Sequence, residues 1–521
     1  MSDIDLFVSH RSGTFFSKNG VIVGLAGSVL LFHLIATLFT SYGYFRDELY
    51  YLACSRRLAA GYVDHPPLSI FLLALTRWLL GNSLFVVRLV PALALSATVV
   101  CTGLMVRQMQ GGAWATVLAG GSVALAPIFL SMGSFYSMNS LDILLWSVAA
   151  YQVLRLIDEP TRQRWIQLGI VMGLALLNKI SFLWFGTGLL VGLLFTPTLR
   201  EQLRTVGPYA AGGIAFLLFL PFVVWNAQHD FAHLEFMRNA VQNKYGGISR
   251  ADFILGAVLM MSPITMLVWG AGLYYYLGSA RGRKYRMLGV ISLMTVLILL
   301  VNGHSKPEYL APAFPMLLAG GGIALEQLAT RRSWPWLPMV IALLLTLNLV
   351  WAPLARPLLP PAVYGRYATV VGFSTENSEG KETAELPQFF ADRFGWEELA
   401  ATVSAVYQRL PPDEQAQAAV FAQNYGEAAA LEHYQREYAL PRVVSGHNNY
   451  WLWGYGEQDP QVMIIVGGER EDHLQSFERV DSVAVHRAAY AMPYENNLPI
   501  FVSRRLRASA AVLWPETKHY D

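Results

Sequence analysis

The sequence predicts a polytopic α-helical membrane protein with a soluble α/β domain at its C-terminal end. Charged residues make up only 14% of the 521 residues and hydrophobic residues 54%, whereas soluble proteins contain about 25% charged residues. A large soluble core does not explain this shortage, because soluble domains still need a charged surface. Apolar runs of bilayer-spanning length recur up to residue 361, and after residue 362 they shrink to the length of strands.

The first apolar run, residues 21–40, is longer than the core of a cleaved signal peptide and predicts an uncleaved transmembrane helix. Residues 41–84 then carry apolar side chains at helical spacing between charges, which is typical of short helices lying in the membrane interface. Further apolar runs bring the predicted number of spans to about eleven. They cover residues 84–106, 113–131, 141–156, 166–179, 181–196, 207–225, 252–277, 287–302, 310–325 and 337–354.

Basic residues cluster in alternate short loops, and this pattern predicts that these loops and the N-terminus are cytoplasmic. The other loops, and everything after residue 362, would then face the outside. The basic residues concerned are Arg107, Arg155, Arg162, Arg164, Arg200, Arg204, Arg281, Arg283, Lys284, Arg286, Arg331 and Arg332.

The C-terminal part alternates short apolar runs with helical patterns, which is typical of a small α/β domain. The strand-like runs include AAVFAQNY, RVVSG, VMIIVGG, SVAVHRA and PIFVSRR, and the helical patterns are WEELAATVSAVYQRL and GEAAALEHYQREY. We therefore predict a transmembrane domain over residues 1–361 and an extracytoplasmic domain over residues 362–521.

The charge balance and the cysteine count exclude several classes of partner. A net charge of +2 argues against nucleic acid. Cys54 and Cys101 form neither a disulfide framework nor a paired metal motif. No cofactor is certain, and a divalent metal stays open because no spacing defines a site. Its possible ligands are Asp47, Glu48, Asp64, His65 and Asp142.

The unusual polar residues all fall on the predicted outer side. Charges that face lipid are costly, so such residues usually line a cavity within the protein. For any single one, a solvated loop position is the alternative, and Lys179 can also be a helix-end anchor. These residues are Asp47, Glu48, Tyr50, Asp64, His65, Asn139, Asp142, Lys179, Arg238, Lys306, Glu308 and Tyr309.

Four segments resemble type C glycosyltransferases of the protein mannosyltransferase and aminoarabinose transferase superfamily. The segment RDELYYLACSRRLAAGYVDHPPL is similar to the first outer loop of these enzymes. SFYSMNSLDILLW, GLALLNKISFLWFG and HSKPEYLAPAFP follow in the same order. The resemblance covers roughly residues 20 to 330, and the acid pair with HPPL is its most specific part.

The resemblance implies an enzyme of the bacterial cytoplasmic membrane whose site faces the outside. It implies transfer of a sugar, with inversion, from a polyprenyl-phosphate carrier to an envelope lipid, glycan or protein. Asp47 matches the acid that acts on the acceptor, and Glu48 matches the second letter of the acidic pair. The aminoarabinose transferases carry a phosphate-contacting lysine where this chain has His65.

The physical chemistry of the reaction agrees with these roles. A carboxylate can accept the proton of an acceptor hydroxyl, and the departing phosphate needs charge stabilisation. We predict that Asp47 and Glu48 are catalytic and that four further residues, Tyr50, Asn139, Asp142 and Tyr309, orient acceptor or sugar. The predicted carrier-phosphate ligands are His65, Lys179, Arg238 and Lys306.

Two other functions stay open at this stage. A secondary transporter also has many helices, but its charges usually lie near the bilayer midplane in two related halves, and the chain shows no internal repeat. In a non-enzymatic assembly or sensor protein, Asp47 and Lys179 would be structural.

Overall fold

The computed structural model describes residues 18–243, 248–372 and 384–521 of the chain. Up to residue 370 the described secondary structure is helical. Short 3-10 helices lie at Glu201–Arg204, Gly282–Tyr285, Pro307–Ala313 and Leu347–Val350. The α-helices are α1 (Lys18–Leu38), α2 (Arg46–Cys54), α3 (Leu68–Leu80), α4 (Leu84–Gln108), α5 (Ala113–Leu125), α6 (Pro127–Met132), α7 (Met138–Asp158), α8 (Arg162–Asn178), α9 (Phe182–Phe195), α10 (Pro197–Arg200), α11 (Gly207–Gln228), α12 (Ala232–Asn243), α13 (Arg250–Met261), α14 (Met266–Gly278), α15 (Arg286–Asn302), α16 (Phe314–Arg332), α17 (Leu337–Thr346), α18 (Ala352–Ala355) and α19 (Pro361–Val370).

Six described helices are long and apolar enough to cross a membrane, and a bent pair brings the number to seven if it counts as one span. The six are Asn19–Leu38, Leu84–Gln108, Met138–Asp158, Gly207–Gln228, Gly282–Asn302 and Pro307–Arg332. The remaining predicted spans correspond to shorter apolar helices or to the bent pair, so the predicted number of about eleven is not confirmed.

Two predicted spans are interrupted at prolines. Residues 252–277 form α13 and α14, which are bent by 110°; Pro263 lies in the break, and Ser262 before it has a φ of 71°. Residues 113–131 divide into α5 and α6 at Pro127, after an extended residue, Ala126. Proline lacks the N–H for the helical hydrogen bond and disfavours helical geometry in the residue before it.

Close helix contacts assemble the bundle. α8 packs along α11, α9 along α15, and α14 along α16. In the last pair, a Cβ on Gly272 would lie 1.9 Å from Leu317 O, and one on Gly321 would lie 1.8 Å from Val268 O. Glycine at these two positions lets the backbones approach closely, as is common between membrane helices.

The predicted short helices of the first outer loop exist, but only α3 has the surface of an interfacial helix. Phe71, Leu75, Trp78 and Leu79 of α3 are exposed apolar residues. In contrast, α2 is buried on nearly all sides. It lies between the helical bundle and the C-terminal domain, and this position brings its polar residues into the candidate site.

The C-terminal domain contains one mixed sheet of five strands. The strands are β1 (Ala418–Ala422), β2 (Arg442–Ser445), β3 (Val462–Val466), β4 (Phe477–His486) and β5 (Leu498–Leu506). Their order is β2-β1-β3-β5-β4; β1, β2 and β3 are parallel, and β5 runs antiparallel to β3 and β4. The remaining helices are α20 (Gln388–Ala391), α21 (Trp396–Gln408), α22 (Pro412–Gln415), α23 (Tyr425–His433), α24 (Asn449–Trp453), α25 (Arg470–Ser476) and α26 (Ala510–Leu513), with 3-10 turns at Pro493–Glu495 and Trp514–Thr517.

A continuous apolar core joins the sheet domain to the helical bundle. Leu49 and Leu52 of α2 belong to the same buried cluster as Val420 of β1 and Ile464 of β3. Helix α2 also packs directly against α23. The sheet domain is therefore docked on the segment between α1 and α4, and it contributes residues to the site built there.

Candidate active site

The adjacent acids of α2 point in different directions. Successive helical residues are rotated by about 100°, so one acid can face inward while the other faces a solvent-accessible space. The Glu48 side chain is fully buried, whereas 36% of the Asp47 side chain is exposed. Glu48 is therefore placed to support the fold, whereas the carboxylate of Asp47 is accessible.

Glu48 joins three segments of the chain. Arg88 of α4 donates from Nε at 3.0 Å and from Nη2 at 2.9 Å. The backbone N–H groups of Phe45 and Tyr136 each donate at 2.9 Å. Burial raises the pKa of the Glu48 carboxyl, but the charge and hydrogen bonds of Arg88 outweigh this effect, and the pKa lies below its usual value. Glu48 is thus an ionised support for α2.

Asp47 faces the C-terminal domain. Tyr425 OH donates to Asp47 Oδ1 at 2.9 Å, and Arg46 Nε lies 3.7 Å from the same oxygen. The guanidinium of Arg46 also lies over the Tyr425 ring, 5.4 Å from its centroid, and reaches Asp392 at 3.5 Å. Within the described residues, Asp47 Oδ2 has no hydrogen-bond partner. The carboxylate is therefore held at one oxygen and available at the other.

Tyr50 connects the Asp47 helix to the next polar segment. Its hydroxyl donates to Asp64 Oδ1 at 3.0 Å, and its ring packs against Tyr425 with centroids 4.8 Å apart. The side-chain amide of Asn449, which follows β2, donates to the Tyr50 hydroxyl and also to Asp64 at 3.3 Å. Tyr50 itself is buried. Through these contacts Tyr50 holds the side chains of Asp64, Tyr425 and Asn449 in fixed positions.

The predicted phosphate ligand His65 is packed behind the polar surface. Its fully buried ring lies between Tyr51 and Tyr62, with centroids 4.7 and 5.0 Å away. Nδ1 is 3.1 Å from Pro66 O, and Nε2 is 3.8 Å from Asp64 Oδ1. The neighbours Asp64 and Pro66, and not His65, line the adjacent cavity.

Lys179 occupies the sharp turn between α8 and α9. Its ammonium donates to Asn139 Oδ1 at 2.7 Å and lies 3.9 Å from Asp142 Oδ2. The Tyr309 ring is 5.1 Å away, and Ser181 Oγ donates to Asp142 at 3.4 Å. The predicted residues Asn139, Asp142, Lys179 and Tyr309 are therefore one contact group, although they come from three separate parts of the sequence.

A cavity of about 430 Å³ lies beside this group. Asp64, Lys179, His233, His304 and Tyr309 supply its polar lining. Its apolar lining includes Leu183, Trp184, Phe236, Met237, Ile298 and Leu299. A cation beside an apolar wall matches an amphipathic anion, such as a phosphate carried on a hydrocarbon chain.

The other two predicted cations lie at different distances from this cavity. Lys306 is half-buried at the start of the 3-10 turn before Tyr309, and its charge acts on Lys179. Arg238 is exposed on α12, next to the cavity-lining Met237. Lys306 is thus close to the cavity group, whereas Arg238 lies on the outside of α12.

Several residues of the site were not predicted from the sequence. Arg88 lies inside an apolar run, and Tyr425 and Asn449 belong to the C-terminal domain. A signal was available for the last two, because they follow the parallel strands β1 and β2. Side chains beyond the carboxyl ends of parallel strands commonly build binding sites.

The sequence analysis offered Asp47, Glu48, Asp64, His65 and Asp142 as possible metal ligands, but the structure brings a different set of side chains together. Among the described residues, the His, Cys, Asp and Glu side chains close enough to share an ion are His447, His519 and Asp521. The acids and His65 of the first outer loop do not form such a group within the described ranges.

A family model and two solved structures are similar to this chain. A family model described as dolichyl-phosphate-mannose-protein mannosyltransferase matches residues 64–225, a range that includes Asp64, Asn139, Asp142 and Lys179 but starts after Asp47. The crystal structure of ArnT from Cupriavidus metallidurans bound to undecaprenyl phosphate superposes with a TM-score of 0.62 at 15% identity, over 93% of this chain and 98% of ArnT. Apo ArnT gives 0.58 at 16% identity with the same coverage. The comparisons confirm the resemblance to type C glycosyltransferases.

A bacterial transferase is also similar in sequence. The lipid A galacturonosyltransferase RgtD of Rhizobium johnstonii is 25% identical over 331 residues, which are 61% of this chain and 67% of RgtD. Of the three interpretations that the sequence leaves open, these comparisons favour the transferase.

Proposed function

We propose that the protein transfers a sugar from a polyprenyl-phosphate carrier to an envelope lipid, glycan or protein at the outer face of the bacterial cytoplasmic membrane. One observation carries the proposal: the accessible carboxylate of Asp47 is linked to a lysine-containing apolar cavity through the side chains of Tyr425, Tyr50 and Asp64. Asp47 and Tyr50 lie one turn apart on α2, Tyr50 binds Asp64, and Asp64 lines the cavity. The likeness to a lipid A galacturonosyltransferase favours an envelope lipid as the acceptor.

In this proposal Asp47 is the general base. The proton of the acceptor hydroxyl passes to Asp47 Oδ2 as the hydroxyl oxygen forms its bond to C1 of the sugar. Tyr425 holds Oδ1 at 2.9 Å, which leaves Oδ2 for the acceptor hydroxyl. A positioned base typically contributes about 10²–10⁴-fold to the rate.

Lys179 stabilises the leaving group. The bond between sugar C1 and the phosphate oxygen breaks, and the electron pair departs on polyprenyl phosphate. Because attack and departure occur on opposite faces of C1, the transfer inverts its configuration. The ammonium of Lys179 lines the cavity, and Lys306 is a second cation that acts on it, although the carboxylates of Asp142 and Glu308 act on it more strongly. A fixed cation is worth most in such a site, where water is largely excluded.

The polar partners of Lys179 orient the donor. Asn139 and Asp142 contact its ammonium and fix its position, and the Tyr309 ring lies 5.1 Å from it. Tyr309 also lines the cavity, so it can meet a sugar hydroxyl there. Tyr50 acts through Asp64.

Other predicted residues receive supporting roles or a lower rank. Glu48 becomes a positioning residue because all of its close partners are protein donors. His65 becomes a packing residue behind Asp64. Arg238 is an exposed side chain that can attract the carrier from the surface of α12.

The sheet domain completes the acceptor side of the site. We assign residues 1–361 to the catalytic membrane domain and residues 362–521 to an outer domain. The Tyr425 hydrogen bond to Asp47 and the shared core support this division, because both need the sheet domain on the same side of the membrane as α2.

The test compares cells with and without the protein by mass spectrometry of envelope lipids and glycans. The proposal predicts that one sugar substituent is missing when the gene is absent and returns with the wild-type chain. A chain carrying Asp47→Asn should be present in the membrane but should not restore the substituent. Unchanged envelope composition in both comparisons would contradict the proposal.

A further inference from the structure

The described chain ends in a segment that pairs with the turn after β2. His519 N–H donates to Gly446 O at 3.1 Å, and Asn448 N–H donates to His519 O at 3.0 Å. This pairing sets the rings of His447 and His519 side by side, with centroids 4.2 Å apart. A Cβ on residue 446 would lie 2.0 Å from Thr517 O, so only glycine allows this approach.

The side chains of this segment bring three ligand groups together. One ligand atom of each of His447, His519 and Asp521 lies within 4.8 Å of the other two. His447 Nε2 is 3.1 Å from Asp521 Oδ1, and two ligands of a tetrahedral zinc ion are about 3.3 Å apart. His447 is buried, Asp521 half-buried and His519 exposed. An ion can therefore enter from the side of His519.

The hydrogen bond of the His519 ring is compatible with ligation, whereas those of the His447 ring must rearrange. His519 Nδ1 lies 3.2 Å from Thr517 O and must donate to it, which leaves the Nε2 lone pair available; metal-bound histidines commonly make such a bond. At His447, an ion at Nε2 replaces the proton that this nitrogen donates to Asp521 O at 3.0 Å. The ring proton then moves to Nδ1 and displaces the contact from Tyr425 N–H, which at 3.4 Å is a weak one.

We propose that His447, His519 and Asp521 bind a divalent transition-metal ion, with Zn²⁺ as the preferred ion. Two imidazoles and a carboxylate are common zinc ligands, and water can complete the tetrahedron. Imidazole ligands argue against Mg²⁺ and Ca²⁺, which prefer oxygen.

The ion would stabilise the contact between residues 518–521 and helix α12, which lines the cavity beside Lys179. Lys518 pairs with Glu235 of α12 at 2.8 Å, and Asn239 of α12 donates to Tyr520 O at 2.8 Å. The same helix supplies His233 to the cavity. The proposed ligands His519 and Asp521 flank Tyr520, which packs on α12. A bound ion therefore stabilises the position of α12 beside the cavity. This role is separate from sugar transfer.

The experiment uses the full-length, tag-free chain in detergent. The protein is stripped with a chelator, dialysed against buffered micromolar Zn²⁺ and analysed for bound zinc by mass spectrometry. His519→Gln is the test variant, because residue 519 is exposed and its loss leaves the core intact. His473→Gln is the matched control, since His473 contacts Gly467 O at 3.0 Å in the same domain but lies outside the group. Co²⁺ serves as a spectroscopic probe of the same site.

The proposal predicts stoichiometric zinc in the wild type and in the His473 variant. Loss of a ligand should weaken zinc binding at least about 10-fold, the lower end of what even an outer-shell change causes. The visible Co²⁺ absorption should vanish in His519→Gln, and the chelator should lower the melting temperature of the wild type but not of this variant. Equal zinc content in His519→Gln and wild type, or no zinc in the wild type, would overturn the proposal. Neither result bears on the transfer reaction.

Discussion

The substitution Glu48→Gln tests how the acid pair of α2 is divided between support and chemistry. Four N–H groups converge on this carboxylate, two from Arg88 at 3.0 and 2.9 Å and one each from the backbone of Phe45 and Tyr136 at 2.9 Å. Glutamine keeps the shape but removes the charge, and its NH₂ group faces donors. Removing one partner of a buried ion pair costs about 3–5 kcal/mol, so we expect the free energy of unfolding to fall by that order.

The neighbouring substitution Asp47→Asn is the matched control for stability. Because 36% of the Asp47 side chain is exposed and asparagine can still accept from Tyr425, we expect a change within about 0.5 kcal/mol, as for surface positions. Thermal unfolding of both variants in detergent, followed by tryptophan fluorescence, measures the difference. Equal melting temperatures for the two variants would refute the assignment of Glu48 as the support and Asp47 as the accessible acid.

Three further predictions concern the cavity, the sheet domain and pH. Lys179→Ala should weaken binding of purified polyprenyl phosphate about 10–100-fold, the equivalent of one charged hydrogen bond, whereas Lys179→Arg keeps the charge and should bind better than alanine; normal binding by the alanine variant would make Lys179 a simple helix-end anchor. Tyr425→Phe should slow transfer about 10-fold or more by releasing Asp47 while carrier binding stays unchanged, and an unaltered turnover would remove the sheet domain from the site. Burial and the nearby Asp392 carboxylate raise the pKa of Glu495 to about 7, although the charge of Arg46 and the hydrogen bonds with Asn424 and the neighbouring buried Glu427 oppose the shift. A carboxyl whose pKa is raised in the folded state loses stability as the pH rises from the usual glutamate pKa through this value. Glu495→Gln should therefore reduce the fall in melting temperature between pH 5 and 7. An identical pH dependence in the variant and the wild type would contradict this view of the buried carboxyl.

The sequence allowed the membrane bundle to be predicted in outline because long apolar runs need no tertiary information. The breaks at Pro127 and Pro263 were present in the sequence, yet hydropathy alone does not distinguish a kinked helix from a bent pair. The strands of the sheet domain were also predictable, from short apolar runs separated by turns. Their mixed order was not, since strand runs do not reveal which neighbours pair.

The candidate site was predictable only in part. Asn139, Asp142, Lys179 and Tyr309 were predicted among the polar residues of the outer face, Lys179 as a phosphate ligand and the others as orienting residues. The structure brings these four into contact. How deeply each side chain is buried was not predictable, because burial depends on how distant segments pack together.

The burial of side chains and the docking of the sheet domain explain why some residues were misplaced or missed from the sequence. His65 was predicted at the phosphate and lies between two tyrosines instead. Arg88 and Tyr425 reach α2 from distant segments. Which distant side chain meets which acid depends on how the bundle and the sheet domain dock, and no local pattern records this.

The most direct test of the account is the single-turnover rate of Asp47→Asn with a purified polyprenyl-phosphate sugar donor and an envelope acceptor extract. The account predicts that this variant folds, binds the carrier like the wild type and transfers sugar about 10²–10⁴-fold more slowly, because only the proton acceptor is lost. Carrier binding measured on the same preparation separates a lost base from a lost site. A transfer rate near that of the wild type, with the carrier bound normally, would contradict the central claim that Asp47 is the catalytic base.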